Sequence, residues 1–493
     1  MTTPPEIQGV LRKLREAQFA AFVVGGSVRD LLLKKKPKDW DIATNANPQD
    51  IQKIFPKNFY NNDFGTVTVI TNAEDETVKE IEITTYRTEA GYSDQRHPDK
   101  IGRAKTIEED LARRDFTVNA LALTEEKDTA DNHKDKVTVE GMNIIDPFGG
   151  LKDLDAKLIR AVGKPSERFA EDALRLMRTV RLAAQLDFDI EEETLRDLKA
   201  YATAIDMVAK ERIRDEIVKI VMSDSPERGI RLMEETGLLA LTMPELCEGV
   251  GVDQNKHHTL TVYEHNLKSL QYAAKYDYEL TIRLAALLHD IGKPRTRRRK
   301  DDDYTFYGHE VVGAKMTDQI LRRLKFRNES REKVTHLVRR HMFYYDVGKV
   351  TEAGARRLLR RVGKEHFDDL IKLRIAERKG SGVPKAEPYR LRHLQFLVEK
   401  AAQEPITTSQ LAINGNDLIE KLGMKPGPKI GGVLNALLAQ VLDDASKNKA
   451  EYLMAEAKIL KNKNPDELKA MGEAAKDEAE KKREDDIKRK YHV

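Results

Sequence analysis

One cysteine, Cys247, stands alone in 493 residues. That excludes an internal disulfide and any zinc site built on paired thiolates, and it suits a reducing compartment. No apolar run approaches the ~20 residues that a membrane-spanning helix needs. The opening MTTPPEIQGVLRKLREA is charged and helical in pattern, without the apolar stretch and small-residue cleavage site of a secretory leader. With 34% charged and 40% hydrophobic residues, the chain reads as soluble and cytoplasmic, with no membrane partner. A strong excess of one charge is missing too: a net +3 neither demands nor excludes nucleic acid, so phosphate binding falls to local basic clusters. No internal repeat is visible, and none of these features sets an oligomeric state. Length alone implies about three or four packed units.

What is present divides into two kinds of pattern. From Gln8 to about Ala161 a helix precedes an apolar β-rich stretch (FAAFVVGG), and strand-like runs follow at Thr66 to Thr71 and Ile81 to Tyr86. This unit reads as α+β. From about Ser166 onward, apolar residues recur at helical spacing, as in FAEDALRLMRTVRLAAQL and RIRDEIVKIVM, so the remaining two thirds is expected to be all-helical. Glycine and proline mark breaks near Glu248 to Asp253, Lys379 to Pro388 and Lys425 to Lys429. The end, DEAEKKREDDIKRK, alternates in charge and fits a solvated helix or a frayed tail.

The most informative stretch is VVGGSVRDLLLKKKPKDWDIAT, Val23 to Thr44. An apolar strand runs into Gly25 and Gly26, whose missing side chains let backbone N–H groups approach a triphosphate, and the helix that follows favours the same anion. Asp39 and Asp41 flank Trp40 in a strand-like context, so both carboxylates point to one face. Two acids held together repel unless divalent cations sit between them, and a pair of Mg²⁺ ions there suits activation of an RNA 3′-hydroxyl and in-line displacement at a nucleotide phosphate. An isolated DxD is more often an exposed acidic turn; the preceding GGxxRD turn argues for the functional reading.

GGSVRD followed by DWD resembles the signature of polymerase-β-type nucleotidyltransferases, class II CCA-adding enzymes and bacterial poly(A) polymerases. RRDFTVNALAL (Arg113 to Leu123) is similar to the family's ribose-sensing motif and DPFGGLKDL (Asp146 to Leu154) to its hinge. ERFAEDALRLMRTVRLAA (Glu167 to Ala184) resembles the base-reading helix, and KERIRDE (Lys210 to Glu216) the helix that supports it. The resemblance implies a nucleotidyltransferase head over residues 1–160, a helical neck over 161–250, an HD-like region over 251–390, a helical tRNA-binding region over 391–460 and a charged tail over 461–493. It implies CCA addition to tRNA from CTP and ATP. Asp39 and Asp41 would bind the catalytic metals; a third acid falls in EIEITTYR at Glu82, with Glu80 on the same strand face as its competitor. Arg114 and Asp115 would contact the ribose with Asn119 in support, and Gly25, Gly26, Arg29, Arg178 and Arg181 join them in holding the nucleotide. Asp172 and Arg175, three apart on a predicted helix, would present an acceptor and a donor side by side, matching C and A and mismatching U and G. The charged segment TEAGYSDQRHPDKIGRAKT is expected to be a flexible loop, and its presence argues against an enzyme that adds only CC.

Further on, LLHDIGKP places His289 beside Asp290, with His265, His309 and His341 at intervals that can converge in a bundle. The stretch resembles an HD phosphohydrolase domain. His265, His289 and Asp290 match its first three metal positions, which implies a divalent transition metal. Glu377 stands where the family carries a distal aspartate, and a purely structural bundle is the competing reading. Leu411 to Asp444 resembles the C-terminal region of HD-containing class II enzymes. RTRRRK (Arg295 to Lys300) and RRLLRR (Arg356 to Arg361) would grip phosphates of the tRNA acceptor and T arms, unless they are solvated helix faces. Two other functions stay open: a poly(A) polymerase or A-only enzyme, which shares the head motifs, and a phosphohydrolase with a vestigial head, against which the intact Asp39 and Asp41 speak.

Overall fold

The computed structural model describes the chain apart from residues 1–2, 62–64, 91–99, 125–135, 140–141, 255–259, 302, 344, 348–349, 383–386 and 403–407. It contains two compact units, one comprising residues 1–341 with 372–383, the other 342–371 with 384–493.

The first unit opens on a mixed sheet with eight strands among the described residues. Their order is Asn58–Asn61, Thr66–Ile70, Glu80–Thr85, Asp41–Thr44, Ala21–Val24, Ala122–Thr124, Met142–Ile145, Lys136–Val139. Neighbours run antiparallel except Asp41–Thr44 and Glu80–Thr85, which are parallel. Alternation along these strands feeds two cores. Val23, Ile42, Ile81 and Ile83 pack with Ile7, Leu11 and Leu14 of the helix Pro5–Glu16. Phe22, Val24 and Ala43 point the other way, onto Ile107 and Leu111. The α+β reading of the head holds, and so do the two strands expected around Thr66 and Ile81.

Helices then take over, as the 3.6-residue apolar spacing predicts, with two departures. Asp189–Ile190 pairs in parallel with Leu158–Ile159, and Arg298–Lys300 pairs with Asp303–Thr305. RTRRRK therefore runs from the end of the short helix Lys293–Thr296 into a hairpin strand; the turn that follows has Asp301 at a left-handed φ of 54°, a conformation that ends a helix or reverses a strand. Arg298, Arg299 and Lys300 are all exposed. The segment expected as a flexible loop forms paired strands at its ends, Arg87–Ala90 with Lys100–Arg103; its centre lies outside the described residues.

In the second unit, the helix Glu352–Val362 buries Ala355, Leu358 and Val362 and leaves Arg356, Arg357, Arg360 and Arg361 exposed. Val433, Leu437, Leu453 and Leu468 share a core. The charged end is one helix, Pro465–Tyr491, tied to the helix Tyr389–Ala402 by Lys490 and Tyr491, each 2.7 Å from Glu399. No helix among the described residues is long and apolar enough to cross a membrane.

Candidate active site

The second core of the head ends where the strand Ala21–Val24 runs out into Gly25 and the strand Asp41–Thr44 begins. Gly25 has φ of 80°, and a Cβ there would lie 2.7 Å from Arg114 Nη1 and 3.5 Å from Asp41 Oδ2. Only glycine combines that backbone with room for both charged groups. Its N–H is bonded to the Leu121 carbonyl at 3.2 Å. The Gly25 N–H is thus taken up by the chain itself, and Gly26 opens the helix Gly26–Leu32.

Parallel pairing sets Asp41 directly opposite Glu82, and the Glu82 N–H donates to the Trp40 carbonyl at 3.2 Å. Burial, with the charges of Glu82 and Asp39, pushes the Asp41 carboxyl up to about 6 against the opposing pull of Arg114. Asp39 and Glu82 are exposed. Glu80 shares their face but stands at the far end of its strand segment, opposite Ile70. Arg114 also reaches Asp110 at 3.5 Å, a buried carboxylate that the sequence reading left unassigned.

A relay of hydrogen bonds leads away from this site. Arg29 Nη1 donates to Asn119 Oδ1 (2.6 Å), Asn119 Nδ2 to Asp115 Oδ1 (3.1 Å), and Arg178 Nε to Asp115 Oδ2 (2.7 Å). Burial opposes a charge on Asp115, yet Arg178 and Asn119 hold its carboxyl well below the usual range. The hinge motif packs beneath: the Asp146 carboxylate accepts from the Gly150 and Leu151 N–H groups at 2.7 and 2.9 Å. A Cβ on Gly150 would fall 2.3 Å from the Thr117 carbonyl oxygen, so this glycine permits the close approach of hinge and ribose motif.

EDALR is not one continuous helix. Pro165–Glu171 ends at Asp172, which is extended (φ −139°), and a new helix runs over Leu174–Leu186. The cause is local: the Asp172 carboxylate accepts from the Leu174 N–H at 3.0 Å, the competition with helix that short acidic side chains offer. The Asp172 and Arg175 side chains take separate partners. Asp172 pairs with Arg212 at 3.2 Å. Arg175 donates to Glu171 (2.6 Å) and to the carbonyls of Arg168 and Arg113. Arg181 meets the buried Glu216 at 3.2 Å. Arg212 and Glu216 both lie in KERIRDE; their partners were not legible because each pairing crosses between helices.

The HD-like stretch gathers more than the expected trio. His289 and Asp290 follow the helix Leu280–Leu288, His265 sits in the first turns of Val262–Lys275, His309 opens His309–Arg323, and His341 ends Asn328–Arg340. All five side chains are buried. His265, His289 and Asp290 form one group with metal-ligating spacing, and Asp290, His309 and His341 form another. A Cβ on Gly292 would lie 2.3 Å from the His309 carbonyl oxygen, which accounts for the glycine in HDIGK. Lys293 meets Asp290 Oδ2 at 2.6 Å, a pairing that no motif in the sequence signals. Burial opposes ionisation of Asp290, but Lys293 and His289 hold its carboxyl well below the usual range. Glu377 belongs to neither group and is paired with Arg374 at 2.6 Å.

A mixed sheet carrying paired acids behind a glycine turn, followed by helices, defines a nucleotidyltransferase head on a helical body. Residues 21–160 match the poly(A) polymerase head domain, 187–249 the probable RNA- and SrmB-binding site of polymerase A, and 262–376 the HD domain. The chain is 33% identical to the CCA-adding enzyme of Pediococcus pentosaceus over 91% of its own length and 96% of that protein. It is 35% identical to the A-adding tRNA nucleotidyltransferase of Deinococcus radiodurans over 67% of its length and 74% of that protein. Its fold matches the Bacillus stearothermophilus CCA-adding enzyme in complex with CTP at a TM-score of 0.57 and 27% identity, covering 93% of this chain and 99% of that one. The chain belongs to the family of CCA-adding enzymes.

Proposed function

We propose that this chain adds C, C and A in turn to the 3′ end of tRNA, taking CTP and ATP and releasing pyrophosphate. The observation that carries this is the coincidence of an intact acidic site at Asp41 and Glu82 with family likeness along nine tenths of the chain. Membership of the family implies use of divalent metal. We assign two Mg²⁺ ions to Asp39, Asp41 and Glu82. The donor set fits them: carboxylates only, with Glu82 and Asp39 both raising the Asp41 carboxyl. When bound, such ions lower the pKa of the attacking 3′-hydroxyl and neutralise charge on the phosphates.

The chain's own residues bind and orient. Gly25, Gly26 and Arg29 line the approach to the acids, and Arg114, Asp115 and Asn119 are assigned to the ribose, which favours NTP over dNTP. Arg178 and Arg181 extend the nucleotide site along the neck. Choice of base is assigned to Asp172 and Arg175, which must exchange Arg212 and Glu171 for the base edge. The arginine then donates to N3 of C or N1 of A while the carboxylate accepts from the amino group. U and G reverse both contacts, at about 1–3 kcal/mol each. Asp172→Ala and Arg175→Ala are each expected to relax selection among the four NTPs by about 10- to 100-fold in single-turnover addition; unchanged selection in both would reduce them to structural ion pairs.

Residues 1–160, 161–250, 251–390 and 391–460 are assigned to catalysis, base recognition, the HD-like region and tRNA binding. The exposed arginines of Glu352–Val362 and of the Arg298–Lys300 hairpin are assigned to phosphates of the acceptor and T arms. A divalent transition metal is assigned to His265, His289 and Asp290, and the protein to the cytoplasm. The deciding assay gives tRNA ending at the discriminator base CTP alone, ATP alone and then both, and sequences the 3′ ends. CC with CTP alone and CCA with both are expected. The likeness to an A-adding enzyme supports a second reading, and addition of A only to tRNA already ending in CC would establish it instead.

A further inference from the structure

We infer that Asp110 is a positioning residue for ribose selection: its buried carboxylate holds the Arg114 guanidinium over Gly25, where an incoming nucleotide would meet it. The inference rests on the assignment of Arg114 to the ribose made above and adds the group through which that arginine is aimed.

Asp110 lies in the helix Ile107–Ala112 and is 1% exposed. Its two oxygens are used unequally. Oδ1 accepts from Arg113 Nε at 3.0 Å and from the Arg87 backbone N–H at 3.3 Å. Arg87 opens the strand Arg87–Ala90, just beyond the strand that carries Glu82, so the carboxylate is pinned between two elements. Oδ2 is also buried, takes no hydrogen bond among the described residues and lies 3.5 Å from Arg114 Nη2. A desolvated carboxylate oxygen without a donor is costly to bury, and the guanidinium charge offsets that cost. Arg114 Nε is likewise buried without a partner among the described residues. The arginine is thus held by charge and keeps donor capacity for a ligand.

The other acids near Arg114 have partners or duties of their own. Asp115 is hydrogen-bonded to Asn119 and Arg178, and Asp41 stands opposite Glu82 in the set assigned to cations. Burial works against the charge of Arg114, and among the carboxylates that restore it Asp110 comes first, ahead of Asp41 and Asp115. A Cβ on Gly25 would lie 2.7 Å from Arg114 Nη1, so the guanidinium fills the space that this glycine leaves beside Asp41. An arginine without Asp110 would be drawn towards Asp41, the next of its attractions, and away from a ribose. The competing account makes Asp110 a tie between Arg87 and the helix Ile107–Ala112, with no part in nucleotide choice.

Ribose selection separates the two. The full chain is given tRNA ending in CC with ATP or dATP in single-turnover addition, a substrate that a CCA-adding and an A-adding enzyme would both extend. Asp110→Asn keeps the shape and an acceptor for the Arg87 N–H but removes the charge. It is expected to lower the preference for ATP over dATP about 10-fold, through weaker apparent affinity for ATP rather than a slower maximal rate. Arg114→Gln should lower the preference at least as far, and adding Asp110→Asn to it should change the ratio no further. Unchanged preference in Asp110→Asn, or a further fall in the double variant, would overturn the inference and leave the ribose assignment standing. Unchanged preference in Arg114→Gln would overturn both. Melting curves check folding. Should Asp110→Asn not fold, Asp110→Glu, which keeps the charge but moves it by one methylene, decides instead: about threefold loss of preference is expected, and no loss would overturn the inference.

Discussion

Two aspartates define the contrast within this chain. Asp41 stands at the mouth of the head sheet among other acids, and its carboxyl is pushed up to about 6 by burial and by Glu82 and Asp39. Asp290 is buried deeper, yet its carboxyl is held well below the usual range because Lys293 and His289 outweigh that burial. At the first site one guanidinium, Arg114, does not offset burial and two neighbouring acids; the other is built around a carboxylate already shared among a lysine and four imidazoles. The difference sets a head site whose acids favour added positive charge against a helical cluster whose charges are already matched. Exposure agrees: Asp39 and Glu82 are open to solvent, whereas the whole histidine cluster is buried.

The sharpest way to break the contrast is to disable each site in turn. Asp39→Ala with Asp41→Ala should lower incorporation of every nucleotide by at least ~10³-fold while leaving tRNA binding largely intact, measured by primer extension and filter binding. The reciprocal pair, His289→Ala with Asp290→Ala, should leave addition within about threefold. Strong loss of addition in a folded reciprocal variant would mean the two sites are coupled.

A smaller effect tests which glutamate belongs to the head site. Glu82→Gln is expected to reduce kcat for CMP and AMP addition by about 10²-fold, and Glu80→Gln by less than about threefold, since the register sets Glu82 beside Asp41. Equal losses would return the choice to the ambiguity of the alternating pattern.

The smallest effect sharpens the electrostatic side. A carboxyl raised in the folded state destabilises that state once ionised; the cost begins above the ordinary value of 3.8 and is complete above about 6. Asp41→Asn should therefore stabilise the metal-free protein by about 1 kcal/mol at pH 7.5, and the gain should vanish below about pH 4. Asp290→Asn should do the opposite at pH 7.5. Thermal melts in EDTA across that range check both signs, and a destabilised Asp41→Asn would show that the acids are not in conflict.

The candidate catalytic stretch is legible because its parts are local. Gly25, Asp39, Asp41 and Arg114 sit in short motifs whose residue types suggest the chemistry, but strand alternation does not place the two aspartates, because Asp39 lies in a bend before the strand that Asp41 opens. The same alternation could not separate Glu80 from Glu82, because period two repeats along a strand while register is a relation between strands. The break at Asp172 was hidden for a related reason: its carboxylate, capping Leu174, competes with a helix that the apolar spacing supports. RTRRRK resembled a helix face because a run of basic residues has no period of its own.

By itself, then, the sequence determined the change from an α+β head to a helical remainder and the motifs that mark the candidate site, all of which depend on near neighbours along the chain. Only the tertiary structure decided the pairings across it. Asp172 meets Arg212 from another helix, and Asp115 meets Arg178. His309 and His341 come to the opposite oxygen of Asp290 from His265 and His289. Such contacts depend on how helix ends converge when their apolar faces are buried together, and the packing of many side chains at once sets that geometry.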